Sequence, residues 1–309
     1  MLLTQLAYFE ALARERHFGR AAASCYVTTS TLSEAVRKLE AEVGTPLVNR
    51  SRSSFQGLTP EGELVLGYAR RITADQRHLE EDLAAARGQL VTVLRVGVVP
   101  AGSGWAAEVL ARLGRRHPGV RFDIRSGVRS EEIIEDLRSH QLDAGIIHTA
   151  PGGVRGLHVT ALGTVRFSVV GTGHAFQREF GQVPSRITGS ELSRLPVALL
   201  SPRMLAREEF DRAVQDSGVT VTPVVDADSV GSLLSCAATG QWFSVVPEGD
   251  GQGDGLCRVP LVDPEVRLGT AVARLDTRPV PGIATAVDLA AEETGDAVAS
   301  DPCSHPPVG

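Results

Sequence analysis

The sequence predicts a three-part α/β chain: a small helical module with a two-stranded hairpin, one long helix, and two α/β lobes. Three observations carry this. The first 90 residues hold apolar positions at helical spacing, residues 60 to 88 read as one uninterrupted helix, and from Val91 onward strand-like and helix-like runs alternate. A length of 309 residues fits two or three domains. Thirty-one basic against 37 acidic residues give a net charge of -6. Cut after Gly88, the first part balances at 11 and 11 and the remainder holds 20 and 26, so a chain that is basic throughout is excluded while a local basic surface is not.

In chain order, "LTQLAYFEALARER" places Leu6, Phe9, Leu12 and Ala13 on one helical face. "FGRAAASCY" comes next as a short helix whose Ala21, Ala22 and Ala23 permit close helix packing. Val27 marks a turn, and Thr28 is placed to cap the next helix, its hydroxyl accepting from an orphan backbone N–H. In "VTTSTLSEAVRKLEAEVG", Leu32, Val36 and Leu39 form the inward stripe, while Ser30, Glu34, Arg37 and Lys38 face outward with Thr31 and Ser33 on the flanks. Short hydroxyls at a helix N-terminus allow close approach to a phosphate backbone. An ordinary capped surface helix would look much the same. The neighbouring segment favours the phosphate-facing reading: "PLVNRSRSSFQGLTPEG" gives two extended pieces around a Ser-rich turn with Arg50 and Arg52, a wing beside a helix-turn-helix.

Thr59-Pro60-Glu61 opens the long helix with a hydroxyl cap and a proline in its first turn. Val65, Ile72, Leu79 and Ala86 share one heptad position, and Ala69, Gln76, Leu83 and Leu90 the other. That seam predicts pairing with a second helix, hence a dimer. In the rest of the chain "TVLRVGVVP", "VRFDIRSG" and "LDAGIIHTAP" read as strands, with helices between them at "AGSGWAAEVLARLGRRHPG" and "SEEIIEDLRSHQ". A second set starts near Phe167 and runs through "PVALLS", "SVGSLLSCAATG" and "WFSVVPEG", before "VRLGTAVARLD" and a final helix near "IATAVDLAAEE".

The spacing in "LAYFEALARERHFGRAAA", in "TSTLSEAVRKLEAEVGTPL" (29–47), at Arg50 and in "LTPEG" (58–62) resembles the DNA-binding and linker segments of LysR-type transcriptional regulators. "LRVGVVP", "SEEIIEDLRSHQLDAGI" from Ser130 and "GQWFSVVP" at 240–247 resemble the effector-binding portion of the same family, and together these cover about 290 residues. The resemblance implies a winged helix-turn-helix at 1–59, a linker and dimerisation helix at 60–90, and a periplasmic-binding-protein-like effector domain at 91–294. Lobe one is expected at about 91–164 and 265–294, lobe two at about 165–264, and a disordered tail at 295–309. Departures are Thr29-Ser30 where the family has Gln-Pro, Val48 where it has Phe, His17 where serine is usual, and Glu34 where a basic or amide residue is frequent. Glu34 either accepts from a cytosine amine or repels phosphate.

The implied DNA-contacting set is Thr28, Thr29, Ser30, Thr31, Ser33, Glu34, Arg37, Lys38, Arg50 and Arg52. Strand ends facing the inter-lobe cleft supply the effector set: Pro100, Ala101, Gly102, Ser103, Ser130 and His148 from lobe one, and Ser201, Pro202, Arg203, Asp228, Ser229 and Trp242 from lobe two. Ser130 and Ser229 serve equally as N-caps, His148 and Arg203 equally as surface groups, and Trp242, where the family has glycine, fills the cleft more readily than it stacks on a ligand. Implied partners are double-stranded DNA with an inverted-repeat operator, a small-molecule effector with organic acids among the candidates, a second copy in a dimer or tetramer, and RNA polymerase.

An enzyme or metabolite-binding protein with a vestigial helix-turn-helix is the alternative. Against it, Lys38 is the only lysine, which leaves no pocket lysine for Schiff-base chemistry, and no catalytic constellation stands out. The four cysteines (Cys25, Cys236, Cys257 and Cys303) form no CxxC pair, so no metal, disulfide framework or cofactor is expected. Cys236 and Cys257 do not match the spacing of the family's peroxide-sensing branch. "GDGQGDG" at 249–255 reads as a loop rather than a calcium site. The absence of an 18-residue apolar run and of a signal peptide leads us to expect a cytoplasmic protein with no membrane partner.

Overall fold

A computed structural model of the chain describes residues 1–51, 54–87, 90–149, 153–247 and 255–299. Two compact units emerge among the described residues, one of residues 1–89 with 138–141 and the other of residues 90–137 with 142–299.

In the first unit, α1 (Leu3–Glu15), α2 (Phe18–Ser24) and α3 (Thr29–Val43) enclose a core of Leu6, Phe9, Leu12, Ala21, Leu32, Val36 and Leu39. The inward stripe of α3 is 0% exposed at Leu32, Val36 and Leu39, each contributing roughly 1.5–3 kcal/mol of burial. Thr28 caps α3 by accepting from Thr31 N–H at 3.2 Å, and Gly44 ends it in the left-handed region at φ 81°. His17 does for α2 what a serine would do: its Nδ1 accepts from Gly19 N–H at 3.0 Å and Arg20 N–H at 3.3 Å. The wing is β1 (Val48–Ser51) antiparallel to β2 (Ser54–Leu58).

α4 (Pro60–Ala85) starts at its Thr59 cap and ends three residues short of the expected position, a length of about 39 Å. At Gly62 a Cβ would lie 2.1 Å from the Leu47 carbonyl oxygen, so only glycine lets α4 leave the wing this closely. The expected seam is only partly exposed. Ala69 is buried in the unit's own core and Val65 and Ile72 pack against it, while Leu79 and Leu83 are exposed, joined by Leu64 and Tyr68. Leu90 lies beyond the helix and packs in the second unit's core.

The second unit runs β3 (Thr92–Val98), α5 (Ser103–Arg116), β4 (Val120–Ser126), α6 (Ser130–Arg138), β5 (Ala144–Thr149) and β6 (Leu157–Thr172). Next come α7 (Gly173–Phe180), β7 (Ile187–Thr188), α8 (Gly189–Leu192), β8 (Val197–Leu200), α9 (Leu205–Asp216), β9 (Val225–Ala227), α10 (Val230–Ala238) and β10 (Phe243–Pro247). β11 (Leu256–Val262), β12 (Arg267–Leu275) and α11 (Gly282–Ala299) close the chain. The strand order β4-β3-β5-β12-β6-β10-β8-β9 makes one extended sheet, with β11 paired to β6 and β7.

β6 is the strand that joins the lobes. Leu157–Arg166 pairs with β12, Phe167–Val170 with β10 and Ser168–Thr172 with β11. The expected start of the second set at Phe167 is therefore mid-strand. Residues 157–166 show no strict alternation in burial, with Leu162 and Val165 buried and His158, Ala161 and Thr164 exposed, so no period-two pattern marks the strand. α7 and β11 are likewise additional to the elements expected from the sequence. α11 continues to Ala299, so residues 295–299 are helical rather than tail; 300–309 lie outside the described residues, as do 249–254 of the glycine-rich segment.

Candidate functional site: a recognition helix and an inter-lobe cleft

The N-terminal turn of α3 is open. Thr28, Thr29, Ser30 and Thr31 are exposed, as are Glu34, Arg37 and Lys38; Ser33 is half-buried. The hydroxyls form a network in which Thr28 Oγ1 lies 2.8 Å from both Ser30 Oγ and Thr31 Oγ1. Thr28 is thereby committed to the cap, while Thr29 sits on the same exposed turn. Lys38 Nζ pairs with Glu34 Oε1 at 2.9 Å, and this ammonium holds the Glu34 carboxyl below its usual range. The Glu34 charge is thus compensated within the helix.

Arg50 is exposed and is also engaged within the unit. Its Nη2 donates to Glu40 Oε2 at 2.8 Å and its guanidinium lies 5.7 Å from the Phe18 ring centroid, so it braces the wing against α2 and α3. Arg52 lies outside the described residues. Tyr26, outside the expected contact set, is 97% exposed and held at φ 55° in the turn before α3. A bulky side chain in left-handed backbone with no burial to favour it is visible only in the structure.

In the second unit a cleft of about 240 Å³, counting its open mouth, lies between the lobes. Pro100, Ala101, Ser130 and His148 line it, as expected. Ser130, the first residue of α6, accepts the His148 backbone N–H at 3.2 Å, which fixes the end of β5 against that helix start. His148 is 5% exposed, and burial pushes its imidazole down to about 4, partly offset by a ring hydrogen bond to the Gly269 backbone. Gly102 caps α5 just behind: a Cβ there would meet Ile146 Cγ2 at 2.8 Å, so glycine lets α5 start against the sheet.

The other lobe supplies Leu200, Met204, Leu205 and Ala206 rather than the expected Ser201, Pro202 and Arg203. After β8 the chain turns, Met204 N–H donating to Ser201 carbonyl at 3.0 Å, and the first turn of α9 becomes the wall. Pro202 and Arg203 point to solvent, and Arg203 reaches Asp228 at 3.5 Å on the surface. Ser103 is exposed, Ser229 caps α10 through Ser232 N–H at 3.1 Å, and Trp242 is half-buried before β10; none of these three lines the cleft. The wall is pinned by Arg207, 8% exposed, which donates to Leu200 carbonyl and Asp226, each at 2.7 Å, and to Asp211 at 2.8 Å.

Among the described residues no His, Cys, Asp or Glu group is arranged to hold a metal, Cys25, Cys236 and Cys257 are free thiols, and no helix is long and apolar enough to cross a membrane. A winged helix-turn-helix with an open recognition helix, carried on one chain with a two-lobed α/β unit containing a cleft, defines a ligand-responsive DNA-binding regulator. Comparisons with known proteins agree. Residues 3–63 match the bacterial regulatory helix-turn-helix protein of the lysR family, and residues 87–295 match the LysR substrate binding domain. The chain belongs to the LysR family of transcriptional regulators.

A hydrogen peroxide-inducible genes activator of Pectobacterium carotovorum is 24% identical over 288 residues, covering 91% of this chain and 93% of the relative. A full-length OxyR variant from Pseudomonas aeruginosa superposes with a TM-score of 0.72 at 26% identity, covering 94% of each chain. Full-length CbnR complexed with its target DNA gives a TM-score of 0.69 at 19% identity, covering 95% of this chain and 100% of that one; it supports the fold alone.

Proposed function

We propose that the chain binds an inverted-repeat operator as a dimer or a pair of dimers and reports the occupancy of its inter-lobe cleft to the DNA. In this reading the exposed turn Thr29–Ser30–Thr31 enters the major groove with Tyr26 beside it, while Arg37 and Lys38 meet phosphates. The observation that carries it is the open, hydroxyl-lined start of α3 on a helix whose opposite face is 0% exposed at Leu32, Val36 and Leu39, a rigid mount for base-edge contacts. The apolar residues left exposed on α4, Leu64, Tyr68, Leu79 and Leu83, support pairing with a second copy. An effector shifts the DNA-bound arrangement only by binding one arrangement better than another. The chain works in the cytoplasm, carries out no reaction of its own and needs no cofactor; RNA polymerase is a partner of the DNA-bound form.

The test is a titration of the full chain against DNA from upstream of its own gene, across a range of salt. Sequence-selective binding whose affinity falls steeply with salt, and which weakens in Thr31→Val and Lys38→Ala, is expected. Affinity independent of salt and sequence refutes the reading.

A further inference from the structure

One residue of the cleft lining carries a polar atom with nothing to bind. His148 Nε2 is buried and has no hydrogen-bond partner. The ring's other nitrogen, Nδ1, lies 3.3 Å from Thr270 Oγ1. The ring also bonds the backbone of Gly269, an interaction that favours the protonated ring and therefore runs from a ring N–H to a carbonyl. Since Nε2 is partnerless, that N–H is on Nδ1, and Nε2 presents a lone pair. A buried acceptor left unmatched costs stability unless a water or a ligand supplies the donor.

The remaining surface limits what that ligand can be. Val99, Ala101, Leu200, Met204 and Ala206 are apolar. Arg129, the one cation on the lining, gives Nε and Nη2 to Glu132 Oε1 at 2.9 and 2.7 Å, with Glu131 and Glu135 close enough to add to the negative field. No uncompensated positive charge therefore faces the cleft. Ser130 Oγ, accepting from His148 N–H, keeps a hydroxyl hydrogen to give. The enclosed part of the cleft is only about 10 Å³, room for little more than one hydroxyl-sized group, so the body of a ligand lies in the open mouth.

We propose that the cleft selects a small, uncharged, largely apolar molecule bearing a hydroxyl, which donates to His148 Nε2 and accepts from Ser130, and that it rejects the matching carboxylate. This rests on the reading of the cleft as the effector site and narrows the effector class; the organic acid that helix-start serines led us to expect is disfavoured. A carboxylate would face the Nε2 lone pair, and protonating a ring that titrates near 4 carries a penalty of about a thousandfold in affinity at pH 7.

The test uses the full chain and three probes of one shape: phenol, toluene and benzoate. With ¹⁵N-labelled histidine, long-range ¹H–¹⁵N spectra at pH 7, assigned with His148→Gln, should show His148 neutral with its proton on Nδ1, and phenol should shift its Nε2 resonance. Calorimetric titration should rank phenol at least about tenfold above both toluene and benzoate, with His148→Phe lowering phenol to the toluene level. An Nε2–H tautomer or an imidazolium overturns the proposal, as does benzoate binding as well as phenol, or phenol binding no better than toluene. Ala206→Phe, which fills the cleft, separates the two layers. Benzoate binding that this variant abolishes leaves the cleft as the ligand site and removes only the hydroxyl assignment, whereas probe binding that survives it removes the site itself.

Discussion

Replacing Glu40 by alanine tests whether the wing is held by one carboxylate. Glu40 projects from the last turn of α3 (Thr29–Val43), and its Oε1 accepts from the backbone N–H groups of Leu47 at 3.0 Å and Val48 at 3.2 Å. Oε2 takes the Arg50 guanidinium at 2.8 Å. The Glu40 side chain is 13% exposed and that of Arg50 26%, so solvent partly replaces the ion pair while the two N–H groups are left poorly matched. An orphaned buried donor costs about 1–3 kcal/mol, and the partly wet ion pair adds well under about 1 kcal/mol. Glu40→Ala should therefore destabilise the N-terminal unit by about 2–4 kcal/mol, which for a unit of this size lowers its transition by on the order of 10 °C or more. Glu40→Gln, which retains a carbonyl oxygen for Leu47 and Val48, should lose about 1 kcal/mol. Calorimetry of the full chain reads the transition, and hydrogen exchange at the Leu47 and Val48 amides reads the contact. A loss below about 0.5 kcal/mol, or unchanged protection at both amides, refutes the reasoning.

Two further predictions concern the exposed and the buried aromatic rings. Tyr26→Gly should leave the fold intact or stabilise it by about 1 kcal/mol, because glycine tolerates φ 55° without strain, yet weaken operator binding several-fold; unchanged affinity in a binding titration removes Tyr26 from the interface. For His148 the folded pKa of about 4 lies below the unfolded value near 6.5, so between these values the unfolded chain binds the extra proton. Stability from this group is complete above about pH 6.5 and is lost as pH falls toward 4, a contribution of about 3 kcal/mol. Denaturant unfolding of the α/β unit should show that slope in the native chain and a flatter one in His148→Asn; parallel profiles would contradict the assignment.

Much of the local architecture is legible in the sequence. Thr28 and Thr59 announce their helices because a cap is satisfied within three residues, by Thr31 and Gly62 N–H respectively. The stripe Leu32, Val36, Leu39 is legible because helical period is a local property, and the helix-turn-helix spacing carries the family with it. Pro100, Ala101, Ser130 and His148 can be found because strand ends in an α/β lobe face its cleft.

Tertiary structure decided the rest, for reasons that lie in distant partners. That Arg50 also braces the wing is decided by Glu40, ten residues earlier, and by Phe18. Half of the α4 seam faces inward because α1 to α3 need Ala69 and its neighbours to close their own core, leaving Leu79 and Leu83 exposed. β6 extends across both lobes because β12, β10 and β11 pair with it across long stretches of intervening chain, a pairing no local pattern encodes. The state of His148 follows from burial and from the backbone of Gly269, 121 residues away in sequence; the residue type names the chemistry, and only the surrounding packing sets its charge and which nitrogen is free.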